Sequence, residues 1–334
     1  MTNSKNIQKK NKQNEKENDD TNACTSNQEN IESIMEEIME LLNIEDSYNK
    51  RILEIENITT QIDTNYPILN INLASSSLNF NQNSLVITPK GLQNSKRGAK
   101  DGIVLFGYER KNSNNTDNNI YTNLNSDTNN NNNNEESEDF LLNDFAFPIE
   151  ERDKNNGLYE FPTFAIYFNT KDRNYYIKDF NTGIGALMKI KKYKLDGNTL
   201  INIGSNYLVV NLEKNKIIIK IFNHNILENN NSKEKKGKNC DLKEFTIGNN
   251  RNTIINIGRS ENCDITIDDV MLSKIHTSIE YKAKEKSFYL YDGDTKKEST
   301  NGTWVFILNP IQIKDNFTFK AEHTLFVANL ANNK

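Results

Sequence analysis

Residues 253–306 read TIINIGRSENCDITIDDVMLSKIHTSIEYKAKEKSFYLYDGDTKKESTNGTWVF. Apolar side chains come in short runs rich in Ile, Tyr and Phe, broken by Gly, Asn, Asp and Ser. That is the texture of short strands joined by turns, not of helices, whose apolar positions recur at three and four residues. Strands are predicted at 253–257, 265–267, 275–281, 287–291 and 303–306. The pattern continues upstream at 217–222 and 242–247, on either side of a polar loop over 228–239, and downstream at 317–320 and 323–327. Short strands at this spacing predict a β-sandwich over 213–334.

A second β-rich stretch precedes it. Predicted strands at 103–106, 163–168, 174–178, 199–203 and 207–212 define a module over 85–212. Its residues 112–137 are almost wholly Asn, Ser, Thr, Asp and Glu, which can bury nothing and are expected to be a disordered insertion. Arg173-Asn-Tyr-Tyr-Ile-Lys-Asp179 aligns without gaps on Lys286-Ser-Phe-Tyr-Leu-Tyr-Asp292. The match runs back to Thr163 opposite His276, and forward, after a gap of four, to Gly185 opposite Gly302. This similarity reads as a tandem duplication.

Upstream, residues 1–30 have scarcely an apolar side chain and are expected to be a disordered tail. Ile31, Ile34, Met35, Ile38, Met39, Leu41 and Leu42 then recur at helical spacing, so an amphipathic helix is predicted within 31–62. It packs either against the rest of the protein or against a partner protein. Residues 63–84 read as linker.

Three turns of the second module carry chemistry: Gly258-Arg259-Ser260, Ser273-Lys274-Ile275-His276 and Ser299-Thr300-Asn301-Gly302-Thr303. Each lies between predicted strands, where loops at one end of a sandwich converge. Arg259 offers a charged fork for a phosphate, and Ser273 a hydroxyl donor. The Asn301 amide can both donate to and accept from an extended peptide.

In order and spacing these pieces resemble the forkhead-associated (FHA) family, over about a third of the chain. The resemblance implies an FHA domain that docks phosphothreonine-containing proteins. The positions matching Arg259 and Ser273 bind phosphate, that matching Asn301 binds peptide main chain, and Lys274 and Thr300 are accessory contacts. Lys274 stands where the family more often has Arg, keeping charge but losing the planar fork. Gly258, His276 and Gly302 are read as structural support, the histidine bracing the binding loops.

Plainer readings stand beside these: Arg259 as a solvated charge, Ser273 as a turn cap, Asn301-Gly302 as turn chemistry alone. In the first module Tyr108 takes the arginine slot, Glu160 the serine slot, Thr163 the histidine slot and Ile184 the asparagine slot. A carboxylate in a phosphate slot is repulsive, so this copy reads as degenerate. Asn202-Ile-Gly204-Ser205 resembles Asn256-Ile-Gly258-Arg259, but it ends its module, lacks the arginine and is set aside.

The fold class expected is therefore all-β, two β-sandwich modules of FHA type after a tail and a short helix. The function that the resemblance implies is phosphothreonine-dependent docking. The alternative is a scaffold or assembly subunit using both sandwiches without phosphate. A net charge of −5 argues against direct nucleic-acid binding. Apolar runs are too short for a membrane span, no secretory signal is recognised, and three cysteines without metal-ligand spacing read as reduced thiols. An intracellular protein, in cytoplasm or nucleus, is expected. No nucleotide loop, kinase signature, calcium loop or His-based catalytic spacing is present, so no enzyme, cofactor or metal is expected.

Overall fold

The computed structural model describes residues 40, 48–60, 66–77, 80, 83–95, 97–108, 143–148, 162–182, 185–213, 216–223, 241–247 and 251–332. The predicted tail, most of the apolar run at 31–42, the Asn-rich insertion, the polar loop 228–239, Glu160 and Ile184 lie outside the described residues.

Helix α1 (Tyr48–Thr60) leads into β1 (Pro67–Ser76), β2 (Ser84–Thr88), β3 (Gly91–Leu92), β4 (Ile103–Tyr108) and β5 (Phe145–Phe147). Next come β6 (Pro162–Asn169), β7 (Asn174–Asp179), β8 (Leu187–Ile190), β9 (Lys192–Leu195), β10 (Thr199–Ile203) and β11 (Asn206–Glu213). The second half contributes β12 (Lys216–Asn223), β13 (Asp241–Thr246), β14 (Thr253–Gly258), β15 (Ile265–Thr266), β16 (Thr277–Lys282) and β17 (Ser287–Asp292). It ends with β18 (Thr303–Phe306), β19 (Ile311–Gln312), β20 (Phe317–Ala321) and β21 (Thr324–Asn332). The protein is all-β apart from a short helix, as its period-two texture predicts. Among the described residues no helix is long and apolar enough to cross a membrane.

Residues 67–76, read above as linker, form β1. Its sequence alternates: Leu69 and Ile71 are buried while Asn70 and Asn72 turn outward, so an Asn-rich stretch still makes a one-sided strand. It pairs with β21 from Pro67↔Asn332 to Ser76↔Thr324, joining the first and last described strands of the chain. Helix α1 buries Ile55 and Ile58, and Arg51 fastens it by donating to the carbonyls of Asp101 (2.7 Å) and Phe168 (2.6 Å).

The strands of 85–212 and 213–334 interleave. One five-stranded sheet runs β5-β4-β6-β7-β19, so its last strand comes from the C-terminal half. The other runs β15-β14-β16-β17-β9, and its last strand comes from the N-terminal half. A single eleven-stranded sheet, β13-β12-β11-β10-β18-β8-β20-β21-β1-β2-β3, repeats the exchange. There β10 and β11 lie between strands of the second half, and β20 and β21 between strands of the first. The halves meet where β8 and β18 pair antiparallel, Met188 opposite Val305.

The registers of the two halves agree around that point. Both β4–β5 and β14–β15 are parallel, pairing Phe106↔Phe145 and Ile257↔Ile265. Phe164↔Asp179 across β6–β7 corresponds to Thr277↔Asp292 across β16–β17. Met188 faces Phe319 as Val305 faces Ile201, so the pairings on the two sides of the Met188–Val305 pair correspond.

Chain connectivity accounts for the crossing. Only Lys191 separates β8 from β9, and a single residue cannot reverse a strand. β9 therefore continues where β8 points, across the boundary between the halves. On the outer face, Lys320 of β20 ties the exchanged strands together. Its ammonium donates to Asn202 Oδ1 of β10 (2.6 Å) and lies 4.6 Å from the centroid of Trp304 of β18. Burial pushes its pKa down to about 8.

Candidate functional site

Gly258 closes β14 where the chain passes tightly under the next loop. A Cβ there would lie 2.3 Å from the Lys274 carbonyl oxygen, which only glycine avoids. The backbone is then locked from both sides: Arg259 N donates to Ser273 O and Ser260 N to Lys274 O, each at 3.1 Å. This lock carries the Arg259 side chain into solvent, where no described residue pairs with it. Lys274 is exposed beside it.

Ser273 sits opposite the third loop. Its Oγ accepts from Thr300 N (3.0 Å) and approaches Thr300 Oγ1 at 3.4 Å, a weak contact that leaves the hydroxyl free to turn toward an incoming acceptor. Asn301 Nδ2 donates to Met271 O (2.7 Å), so the asparagine braces the loop carrying Ser273 while remaining exposed. Gly302 holds a φ of +80°, the left-handed conformation that turns the chain from Asn301 into β18. Arg259, Ser273, Lys274, Thr300 and Asn301, distant in sequence, are thus brought to one edge of the sandwich.

His276 is wholly buried beneath them. Ser273 N donates to its Nδ1 (3.1 Å), so the other nitrogen carries the proton and donates to Gly302 O (3.1 Å). One neutral imidazole therefore fastens the second loop to the third. Burial holds its pKa below the usual value, partly offset by the Gly302 carbonyl and the carboxylates of Asp292 and Asp269. Asp292 supports the third loop from below, accepting from Ser299 Oγ (2.6 Å) and Thr303 Oγ1 (3.0 Å).

The sign of the pH effect follows. The unfolded imidazole takes up a proton near pH 6.5, whereas the folded one resists until lower pH, so stability falls as pH drops through and below that value. The melting temperature of the wild type should fall more steeply between pH 7.5 and 5.5 than that of His276→Ala. Parallel pH profiles for the two proteins would remove this role from His276.

Sequence reasoning missed Asp269. Its Oδ2 accepts three bonds from the β10–β11 turn: Ser205 N (3.0 Å), Ser205 Oγ (2.7 Å) and Asn206 Nδ2 (2.8 Å). Its Oδ1 accepts from Met271 N (2.8 Å). Burial alone would raise its pKa, but the bonds from Ser205, Met271 and Asn206 outweigh burial and hold it below the ordinary carboxylate value. The stretch set aside from sequence, Asn202 to Ser205, thus packs against the site after all.

In the first half, Tyr108 occupies the position of Arg259 in the strand register, and Thr163 that of His276, donating to Phe106 O (3.1 Å). Among the described residues no cluster of His, Cys, Asp and Glu could hold a metal ion.

Residues 255–321 match the family model of the FHA domain. No curated protein and no solved structure gives a significant match to the chain. An FHA domain implies a phosphopeptide-binding, protein-interaction module, and no catalytic family is matched.

Proposed function

We propose, from the FHA domain at residues 255–321, that this protein is a non-enzymatic adaptor docking proteins that carry phosphothreonine. The observation that carries the reading is an exposed Arg259 side chain that no described residue pairs with, on a loop that two backbone bonds hold against the loop of Ser273. A phosphate there accepts charge-assisted bonds from Arg259, a hydroxyl bond from Ser273 and long-range attraction from Lys274, with Thr300 as a neutral donor. Asn301 reads the peptide main chain with its free Oδ1, and Gly258, His276 and Gly302 hold the loops. The acidic overall charge fits a site of local positive potential aimed at one phosphate, not at a polyanion.

The second half of this reading is that the two sandwiches are copies of one another, related by a pseudo-two-fold axis through the Met188–Val305 pair and exchanging their last three strands. The modules 85–212 and 213–334 are then units of sequence, and each sandwich is built from both. The first copy lacks the phosphate chemistry, since Tyr108 stands in for Arg259, and it serves the fold or a different contact.

Titrating the full chain with a phosphothreonine peptide library, its unphosphorylated counterpart and a phosphoserine counterpart tests the function. Saturable binding of phosphothreonine peptides alone is the expected result. Partner binding that ignores dephosphorylation would instead favour the phosphate-independent scaffold.

A further inference from the structure

We propose that the β10–β11 turn, residues 204–206, carried by the first half of the chain, is the positioning element of the phosphopeptide site in the second half. The inference rests on the docking function proposed above and adds that the site is incomplete without a segment outside the matched FHA region.

The loop 268–272, which leads into Ser273, has few means of holding its own shape. It lies between β15 and β16, exposes Val270 and Met271, and buries only Leu272 deeply before reaching Ser273. Its own backbone bonds are short-range: Asp269 N to Ile267 O and Leu272 N to Asp269 O, each at 3.0 Å. Besides the bonds that tie Ser273 to Arg259 and Thr300, and Met271 to Asn301, its long-range anchor is the Asp269 carboxylate, its one tie to the first half through a carboxylate among the described residues. One oxygen takes the three bonds from Ser205 and Asn206, and the other takes Met271 N within the loop. Met271 in turn offers its carbonyl to Asn301. A continuous chain of bonds therefore runs from turn to Asp269, to Met271, to Asn301, while Leu272 and Ser273 follow directly in sequence.

The turn is shaped for this approach. Gly204 has a φ of +53°, and a Cβ on it would lie 2.7 Å from Asp269 Oδ2 and 2.9 Å from Leu272 Cδ2. Asn206 is wholly buried, and Asn202 Nδ2 holds it by donating to its carbonyl (3.1 Å). Because β10 and β11 are inserted between β18 and β12, the turn cannot leave the site without opening the long sheet. The first half is in this way wired to the ligand loop of the second. A protein contacting the first half has a direct route to the affinity of the site.

The experiment uses the full chain with the tightest peptide from the phosphothreonine library. Ser205→Ala should weaken binding about threefold and Asp269→Ala about tenfold. The double variant should bind no worse than Asp269→Ala, because both changes break the same link. Ser205→Thr, which keeps the hydroxyl, should restore most of the affinity. Melting temperatures should stay close to wild type, and amide hydrogen exchange should rise at Met271 and Leu272. Wild-type affinity in both single variants would overturn the proposal, as would faster exchange with unchanged affinity. Should the wild type bind no phosphopeptide, the docking function falls, and faster exchange at 271–272 in Ser205→Ala still establishes that the turn positions the loop. Unchanged exchange would then overturn the positioning as well.

Discussion

Arg259→Ala should weaken binding of phosphothreonine peptides by the full-length protein about 10- to 100-fold. A hydrogen bond to a charged group is worth about 1.5–3 kcal/mol, and each 1.4 kcal/mol is a factor of about ten. The structure explains why that loss stays confined to binding. The Arg259 side chain is exposed and leaves no partner stranded among the described residues, while its backbone N–H, which does the structural work, survives the substitution. Melting should therefore shift by no more than a surface change, about ±0.5 kcal/mol. Arg259→Lys should fall between, keeping the charge without the fork. Titration calorimetry with matched phosphorylated and unphosphorylated peptides gives the measurement. Equal affinity for wild type and Arg259→Ala would mean that the guanidinium does not hold phosphate, and the docking function would go with it.

What could be read from sequence divides along a physical line. Local patterns were legible. Period-two alternation placed most strands within a residue or two, and the turn residues around Gly258, Ser273 and Gly302 marked the loops. Strands whose inward face is only two or three residues long were not. β9 reads Lys-Tyr-Lys-Leu, and only Leu195 is deeply buried. β1 hides its Leu and Ile among asparagines.

Pairing between distant strands was not legible at all: nothing in the local pattern of β9–β11 or β19–β21 says which sheet each strand joins. The single residue between β8 and β9 was the available sign, because a one-residue connection cannot turn a strand back. The same blindness hid Asp269, whose partners Ser205 and Asn206 lie more than sixty positions upstream. The likeness of Asn202-Ile-Gly204-Ser205 to the arginine motif does not account for the bonds that Ser205 makes to Asp269. The contact of this stretch with Asp269 comes from where β10 is inserted, not from what the stretch resembles.

Phe326→Ala should destabilise the protein by about 3–5 kcal/mol, the usual cost of removing a fully buried phenylalanine, and the damage should appear far away in sequence. Phe326 lies on β21, near the C-terminal end, yet its ring belongs to the core of the first half. It stacks on Phe319 at 4.8 Å and meets Phe145 and Phe147 edge-on, each at 6.3 Å between centroids. Phe319 continues the cluster to Phe164 of β6 at 6.0 Å. Native-state hydrogen exchange reads where such a loss is felt, because local opening follows the packing that has been weakened. Protection should fall in β4, β6 and β7 and persist longer in β14, β16 and β17. Leu208→Ala on β11 supplies the reciprocal case. Its wholly buried side chain lies on a strand held between β10 and β12, so its removal should loosen β14, β16 and β17 first. If the two sandwiches were instead each closed by their own last strands, Phe326 would line the second core and Leu208 the first. The two exchange maps would then trade places, and the strand exchange that joins the candidate site to the first half would be refuted.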